Sequence, residues 1–286
     1  MKKVLVLAFL MAMNCCLSQQ QNDWSAVEKV FGKKGNIKDN IIKFSFPRPD
    51  LQVKVGDFQV APGLALGSWI AIMKMDKNAE MMGDLVLLDR EVEPVIEKLL
   101  SENLEITALH NHLVNETPVV KYIHFSGKGD AVKLAEEIKA VLEVTGTPLT
   151  SPAQPQKENL DWSKVEAVLG KTGKQNGNLL QYSFPRNEKL TENGMELPAY
   201  MGAATAINFQ MDGSKVATTG DFVLLAEEVN PVVRALTENG IDVTAIHSHM
   251  LFDNPRLFML HFWAIDNPEK VAKGLKAALD KTNSKK

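Results

Sequence analysis

Histidine is the residue type whose spacing most clearly indicates chemistry in this 286-residue chain. The chain has six histidines, and they form two copies of the pattern His-x-His-x11-His. Neutral imidazoles are common ligands of Zn, Cu, Fe and Ni, and three imidazoles leave a coordination position for water or substrate. Each copy therefore predicts a divalent transition metal site, with Zn favoured and Cu, Fe or Mn as alternatives. The predicted ligands are His110, His112 and His124 in the first copy and His247, His249 and His261 in the second.

A β-hairpin is the element that must position each set. Ile106–Val114 and Val119–Phe125 are β-prone runs on either side of a turn-rich segment, Asn115–Pro118. Side chains alternate along a strand, so His110 and His112 share one face. With the turn centred near Glu116 and Thr117, antiparallel pairing predicts four opposed pairs: His110 with His124, His112 with Tyr122, His247 with His261, and His249 with Met259.

The other face of each predicted hairpin is apolar. It carries Leu109, Leu113, Ile123 and Phe125 in the first copy, and we expect helices to pack there. Two arrangements remain for the histidine faces. They either line an open cleft or pack towards one another between the repeats.

Acidic residues recur at three places from which they can serve the histidines. Glu116 and Asp253 lie in the predicted hairpin loops, where each is a candidate fourth ligand or catalytic general base. The other recurrent acidic pairs are Glu91 with Glu228, before a long helix, and Asp84 with Asp221, at the start of a strand.

Two arginines also recur, in the motif Ser-Phe-Pro-Arg. At the rim of a histidine site, Arg48 and Arg186 are candidate substrate-binding residues, because a guanidinium binds carboxylate or phosphate groups in a bidentate manner. The alternative, which we favour, is a structural ion pair with Asp84 or Asp221.

An internal repeat covers nearly all of the chain after its N-terminal segment. Asp23–Gly32 returns as Asp161–Gly170, and further segments follow in the same order. We predict one repeat domain at 22–145, a Pro-containing linker at 146–159 and a second repeat domain at 160–282. The predicted fold class is α+β, with two homologous repeats related by a pseudo-two-fold. Each repeat is expected to hold an antiparallel sheet with helices on one face, in a split β-α-β-like arrangement.

The N-terminal residues are typical of an export signal. Lys2 and Lys3 precede an apolar run, so residues 1–18 are predicted to be a signal peptide. A degenerate lipobox ends at Cys16, which predicts a lipid anchor in the periplasm or cell envelope; cleavage to a soluble protein is the alternative. Both cysteines of the chain lie in this segment, which excludes cysteine chemistry in the mature body. Net charge is −3, so we expect no nucleic-acid partner, and membrane contact only through the anchor.

The duplicated Asp-Trp-Ser-x-Val-Glu opening, the Phe-Pro-Arg strand and the His-Asn-His and His-Ser-His segments resemble the bacterial lipoprotein family named for mycobacterial LppY and LpqO. The resemblance implies an envelope location and a duplicated domain of unknown function, without supplying an activity.

Three hypotheses for function follow. The first is a metal site, with metal-assisted hydrolysis or oxygenation as its catalytic form. The second is a non-catalytic carrier of a metal or small ligand. In the third, the histidines are structural and close an interface between the repeats.

Overall fold

The structure is a computed structural model that describes residues 23–150, 158 and 160–286. The predicted signal peptide, the lipobox and most of the predicted linker's second half lie outside the described residues. The first repeat contains, in chain order, α1 (Ser25–Phe31), β1 (Asn36–Lys38), β2 (Ile41–Pro47), β3 (Lys54–Val55), β4 (Phe58–Gln59), α2 (Pro62–Ala65), β5 (Gly67–Lys74), β6 (Ala79–Leu88), α3 (Asp89–Ser101), β7 (Glu105–His110), β8 (Glu116–Thr117), β9 (Val120–Gly129) and α4 (Ala131–Leu142).

The second repeat has the same order of elements, with a 3-10 turn at Ala199–Met201 in place of the short helix α2. It contains α5 (Ser163–Leu169), β10 (Lys174–Asn176), β11 (Leu179–Pro185), β12 (Thr191–Glu192), β13 (Met195–Glu196), β14 (Ala204–Asp212), β15 (Lys215–Leu224), α6 (Ala226–Glu238), β16 (Asp242–His247), β17 (Asp253–Asn254), β18 (Phe258–Asp266) and α7 (Pro268–Leu279).

Each repeat forms a six-stranded antiparallel sheet. The strand orders are β1-β2-β5-β6-β9-β7 and β10-β11-β14-β15-β18-β16, so the two sheets have the same topology. The α+β class and the duplicated sheets with helices are confirmed. None of the helices in the described part of the chain is long and apolar enough to cross a membrane.

Strand β6 shows how side-chain alternation divides the two faces of a sheet. Met81 and Leu85 join a core that also contains residues of α1, α3 and α4. Val86 and Leu88 point the other way and join a core to which the second repeat contributes. Asp84 shares that second face. Each sheet is therefore covered by helices on one side and by the other repeat on the opposite side.

The segment between β2 and β5 joins the repeats. The ring of Phe58 lies 6.1 Å from that of Trp263 in β18. The side chain of Gln210 accepts a 2.8 Å hydrogen bond from the backbone N–H of Ala61 and donates a 2.9 Å bond to the carbonyl of Gln59. The corresponding segment of the second repeat packs on Ala71 and Met73. This reciprocal packing holds together the two sheet faces that carry no helices.

The predicted hairpin register is wrong by two residues. His124 lies opposite Ala108, and Tyr122 lies opposite His110. The physical reason is that Glu116–Thr117 forms β8, which pairs with β3 and so does not close a tight hairpin turn; a β-bulge between Ile106 and Ala108 shifts the register further. In the second repeat, likewise, His261 lies opposite Ala245 and Met259 lies opposite His247.

The prediction that helices pack on the apolar face of each histidine hairpin is only partly correct. Ile123 and Phe125 do pack under the helices. Leu109 and its counterpart Ile246 are each 47% exposed, because their strands, β7 and β16, end the two sheets and have a strand neighbour on one side only.

Candidate metal centre

The histidines come from equivalent elements of the two repeats. His110 ends β7, His112 follows in the loop, and His124 lies in β9. His247, His249 and His261 occupy the same places around β16 and β18. Because these strands contribute to the sheet faces that meet between the repeats, all six imidazoles converge there.

The six rings form three stacked pairs, and each pair joins one repeat to the other. The ring centroids are 3.7 Å apart for His110 and His247, 3.8 Å for His112 and His261, and 3.7 Å for His124 and His249. The sequence predicted a separate site in each repeat. The structure instead builds one shared cluster at the inter-repeat interface, which we call the histidine centre.

The Nε2 atoms of this centre are its most informative feature. Within the described part of the chain, all six are buried and have no hydrogen-bond partner. An unsatisfied buried polar atom costs roughly 1–3 kcal/mol, and six in one place is far from the norm for a folded protein. Neutral Nε2 atoms are metal ligands, so the donor set fits a transition metal.

Three of the Nδ1 atoms lie near backbone carbonyls. His110 Nδ1 is 3.3 Å from the Asn111 oxygen, His247 Nδ1 is 3.2 Å from the Ser248 oxygen, and His261 Nδ1 is 3.1 Å from the Gly220 oxygen. A proton on Nδ1 satisfies such a carbonyl and leaves the Nε2 lone pair available. The backbone thus orients these rings for ligation through Nε2.

Two sets of donor atoms in the described residues come close enough together to hold an ion. One set is His110, His247, His249 and His261, and the other is His112, Asp221 and His261, with donor atoms within 4.8 Å of one another in each set. Both sets draw ligands from both repeats. An ion held in either set would therefore also link the two repeats.

Two aspartates flank the histidine centre. Asp221 Oδ1 lies 2.7 Å from His261 Nδ1, and Asp84 Oδ2 lies 3.8 Å from His124 Nε2. Burial and the neighbouring charge of Asp221 raise the pKa of Asp84 well above its usual value. Burial also opposes ionisation of Asp221, but the adjacent His261 holds its pKa below the usual value. Of the three recurrent acidic pairs, these two aspartates are the ones brought to the histidines.

Burial keeps His110, His112, His124, His247 and His249 neutral. It lowers the pKa of His124 to about 3 and that of His247 to about 4, and it lowers the pKa of His110, His112 and His249 well below the usual value. The crowding of the rings acts in the same direction for most of them, because a second positive charge nearby is unfavourable. Neutral imidazole is the form that binds metal.

The metal-free chain is expected to lose stability as the pH falls from 7 to 5. An unfolded histidine takes up a proton near pH 6.5, whereas these buried histidines stay neutral, so acid favours the unfolded state. One pKa unit corresponds to about 1.4 kcal/mol, so His247 alone contributes roughly 3 kcal/mol across its full range. Asp84 acts in the opposite direction, because its raised pKa makes the folded state take up a proton as the pH falls. It is one group against several histidines.

Urea unfolding at pH 7, 6 and 5, followed by circular dichroism, measures the effect. A His110→Gln, His247→Gln double variant should show a flatter pH dependence than the parent. Stability of the parent that is constant or rises on acidification over this range would show that the histidines are not buried in neutral form.

The predicted catalytic residues Glu116 and Asp253 begin the short strands β8 and β17. Glu116 accepts a hydrogen bond from the Val120 N–H, 3.4 Å away. Asp253 accepts bonds from the Leu257 N–H and, at 2.7 Å, from the Arg256 guanidinium. Neither belongs to the two donor sets found in the described residues. Their hydrogen bonds hold the segments between β8 and β9 and between β17 and β18.

The predicted substrate-binding residues Arg48 and Arg186 are buried. The guanidinium of Arg48 donates to Asp50, to Glu91 and to the Val86 carbonyl, which together take all five of its N–H groups. Arg186 binds Glu188, Glu228 and the Val223 carbonyl in the same way. The ion pair is therefore structural, as favoured, but the partners are not Asp84 and Asp221. Glu91 and Glu228 pair with the arginines instead, because each glutamate lies in the first turn of the helix that starts beside its arginine.

A cleft of 470 Å³ reaches the histidine centre from solvent between the two sheets. Its lining includes Asp84, Asp221 and His112 together with Lys43, Trp69, Gln181 and Asn208. Burial lowers the pKa of Lys43 to about 8. These last four residues carry no motif, and strand alternation is the one sequence signal that could have placed them on the histidine face. We call this space the inter-repeat cleft.

The fold and the converging imidazoles define a class: a duplicated α+β protein with a histidine centre between its repeats. The chain belongs to the family described as Domain of Unknown Function (DUF1259), whose model matches it twice, at residues 25–144 and 163–281. The two matches coincide with the two sheets and their helices.

No curated protein matches the chain. Among solved structures, EtuB from Clostridium kluyveri is similar at 9% identity over 86% of this chain and 88% of that chain, with a TM-score of 0.21. The trimeric bacterial microcompartment shell protein PduB is similar at 11% identity over 85% and 86%, also with a TM-score of 0.21. Similarities at this level carry no argument about function.

Proposed function

We propose that the protein binds a divalent transition metal in the histidine centre, with ligands from both repeats. The observation that carries this proposal is the set of six buried Nε2 atoms without hydrogen-bond partners among the described residues. Nitrogen donors at this density favour Zn, with Cu, Fe or Mn as alternatives. Purely structural histidines would instead be expected to bond to protein groups through both ring nitrogens.

Metal content tests this directly. The mature chain should carry near-stoichiometric metal by elemental mass spectrometry, or take it up after chelation on titration with Zn, Co, Cu or Mn. The ratio of ions to chains then tells whether the centre holds one ion or two. Absence of metal both on isolation and after titration would refute the proposal.

A catalytic role, metal-assisted hydrolysis or oxygenation, is the second candidate. The inter-repeat cleft favours it over simple storage, because the cleft leads from solvent to His112 and Asp221. A bound metal would polarise a substrate oxygen or lower the pKa of a water molecule. Asp221, 2.7 Å from His261, would orient that imidazole and can accept a proton at its exposed edge. A panel of ester and phosphoester substrates, assayed with parent and Asp221→Asn protein at equal metal content, separates a catalyst from a carrier.

We further propose that the chain is exported and held at the cell envelope, as the LppY- and LpqO-like sequence pattern implies. The support is the basic and apolar N-terminal sequence and the lipobox ending at Cys16. Cell fractionation should find the parent with membranes and a Cys16→Ser variant in the soluble envelope fraction. Cytoplasmic recovery of the parent would contradict export.

A further inference from the structure

The two halves of the histidine centre differ at a strand position that lies next to the aspartates. In the first repeat, Trp69 of β5 is directly opposite Asp84 of β6. In the second repeat, Ala206 of β14 is directly opposite Asp221 of β15. Directly opposed residues of antiparallel strands share a face and lie about 4.5–5.5 Å apart at Cβ. A large indole therefore stands beside one aspartate and a methyl group beside the other.

Trp69 is fixed in place by its neighbours. Lys43 Nζ lies 3.8 Å from the centre of a Trp69 ring and 3.4 Å from the Tyr200 carbonyl oxygen. The indole also packs against Gly202, where a Cβ would come within 3.3 Å of two of its carbon atoms. The corresponding position to Lys43 in the second repeat is Gln181. The first repeat thus has a stacked pair, Lys43 over Trp69, where the second has two smaller, uncharged side chains.

The two aspartates of the centre differ in solvent exposure in the way that the neighbouring side chains predict. The Asp84 side chain is 6% exposed, whereas that of Asp221 is 24% exposed. His112, which joins Asp221 and His261 in a donor set, lines the inter-repeat cleft. Its counterpart His249 is buried at 8% exposure. Both aspartates line the cleft, but of the two only Asp221 belongs to a donor set found among the described residues, and it does so with His112 and His261.

We infer that the histidine centre is open beside one aspartate only: a small anionic ligand reaches a metal beside Asp221, His112 and His261 through the inter-repeat cleft, while Trp69, in the wall of the same cleft, covers Asp84. This inference rests on the proposed metal binding. It assigns His112, Asp221 and His261 to the binding of ligand or substrate.

The lining of the cleft indicates the class of ligand. Lys43 is the one lysine or arginine in the lining, which also contains the Asn208 amide. Gln181 Nε2 already donates to the Gly63 carbonyl and to Asn208 Oδ1. A metal ion and an ammonium group in one cleft attract anions, and the Asn208 amide nitrogen can donate to a ligand oxygen atom. A small carboxylate or inorganic anion fits both the charge and the 470 Å³ volume.

Azide binding to the cobalt-loaded full chain tests the inference, with visible absorption reporting a change in cobalt coordination. The parent should bind azide. Ala206→Trp, which copies the plug of the first repeat, should load the same amount of cobalt but bind azide at least about 10-fold more weakly, a loss of about 1.4 kcal/mol. Trp69→Ala is the matched variant, and it should bind azide at least as tightly as the parent.

Ala206→Leu provides a smaller plug in case tryptophan prevents folding, and it should weaken azide binding in the same direction. The inference is overturned if cobalt-loaded parent binds no azide, if both Ala206 variants bind it as the parent does, or if azide binds only after Trp69→Ala. Failure of the parent to take up cobalt or any other metal would refute the proposed metal binding itself, which distinguishes the two failures.

Discussion

Replacement of both His110 and His247 by alanine is expected to weaken metal binding by at least about 100-fold. The two rings stack at 3.7 Å and both belong to the four-histidine donor set, so the double variant removes half of that set. Loss of a residue that merely supports a ligand already costs about 10–100-fold in metal affinity, and loss of two ligands costs more. Competition with a chromophoric chelator measures the affinity of parent and variant.

Single variants distinguish a shared centre from two independent sites. If each repeat bound its own ion, His110→Ala would leave the second repeat's ion unchanged. A shared centre predicts that His110→Ala and His247→Ala each weaken the same binding event. Leu109→Ser and Ile246→Ser are matched controls, since both residues lie on the same strands with exposed side chains. Parent-like affinity in the double variant would contradict the assignment of these ligands.

Arg48→Ala is expected to destabilise the chain by about 3–5 kcal/mol. Arg48 is completely buried, and its removal leaves Glu91 buried without its cation. Glu91 also accepts the N–H groups of Leu88 and Gly146, so one change loosens the ends of β6, α3 and the segment after α4. The midpoint of thermal unfolding should fall by roughly 10 °C for a chain of this size.

Lys270→Ala is the matched control for this prediction. Lys270 pairs with Asp266 on the surface, and exposed pairs are worth about 0–1 kcal/mol. If Arg48 bound substrate and had no structural role, the Arg48→Ala variant would unfold at nearly the same temperature as the parent. That outcome would reverse the structural assignment of the arginine.

The histidine faces were predictable from sequence because they depend on local rules. Two copies of one spacing, read with strand alternation, placed His110 and His124 on the face away from the helices. The hairpin register was not predictable in the same way, because β8 pairs with β3, more than 50 residues earlier in the chain. Pairings over such separations leave no local pattern.

The pairing of histidines between the repeats also lay beyond local rules. The pairing of His112 with His261 depends on how two whole sheets dock, and docking depends on segments such as the one around Phe58. The arginine partner was misassigned for a related reason: Asp84 and Glu91 were both recurrent, and only the position of the α3 first turn decides between them.

Anomalous diffraction at the absorption edge of the bound metal tests the central claim most directly. We predict a peak between the two sheets, at about 2.0–2.1 Å from Nε2 atoms that belong to both repeats. A peak bound by histidines of a single repeat, or a fully occupied metal elsewhere with the six Nε2 atoms still free of it, would contradict the shared centre.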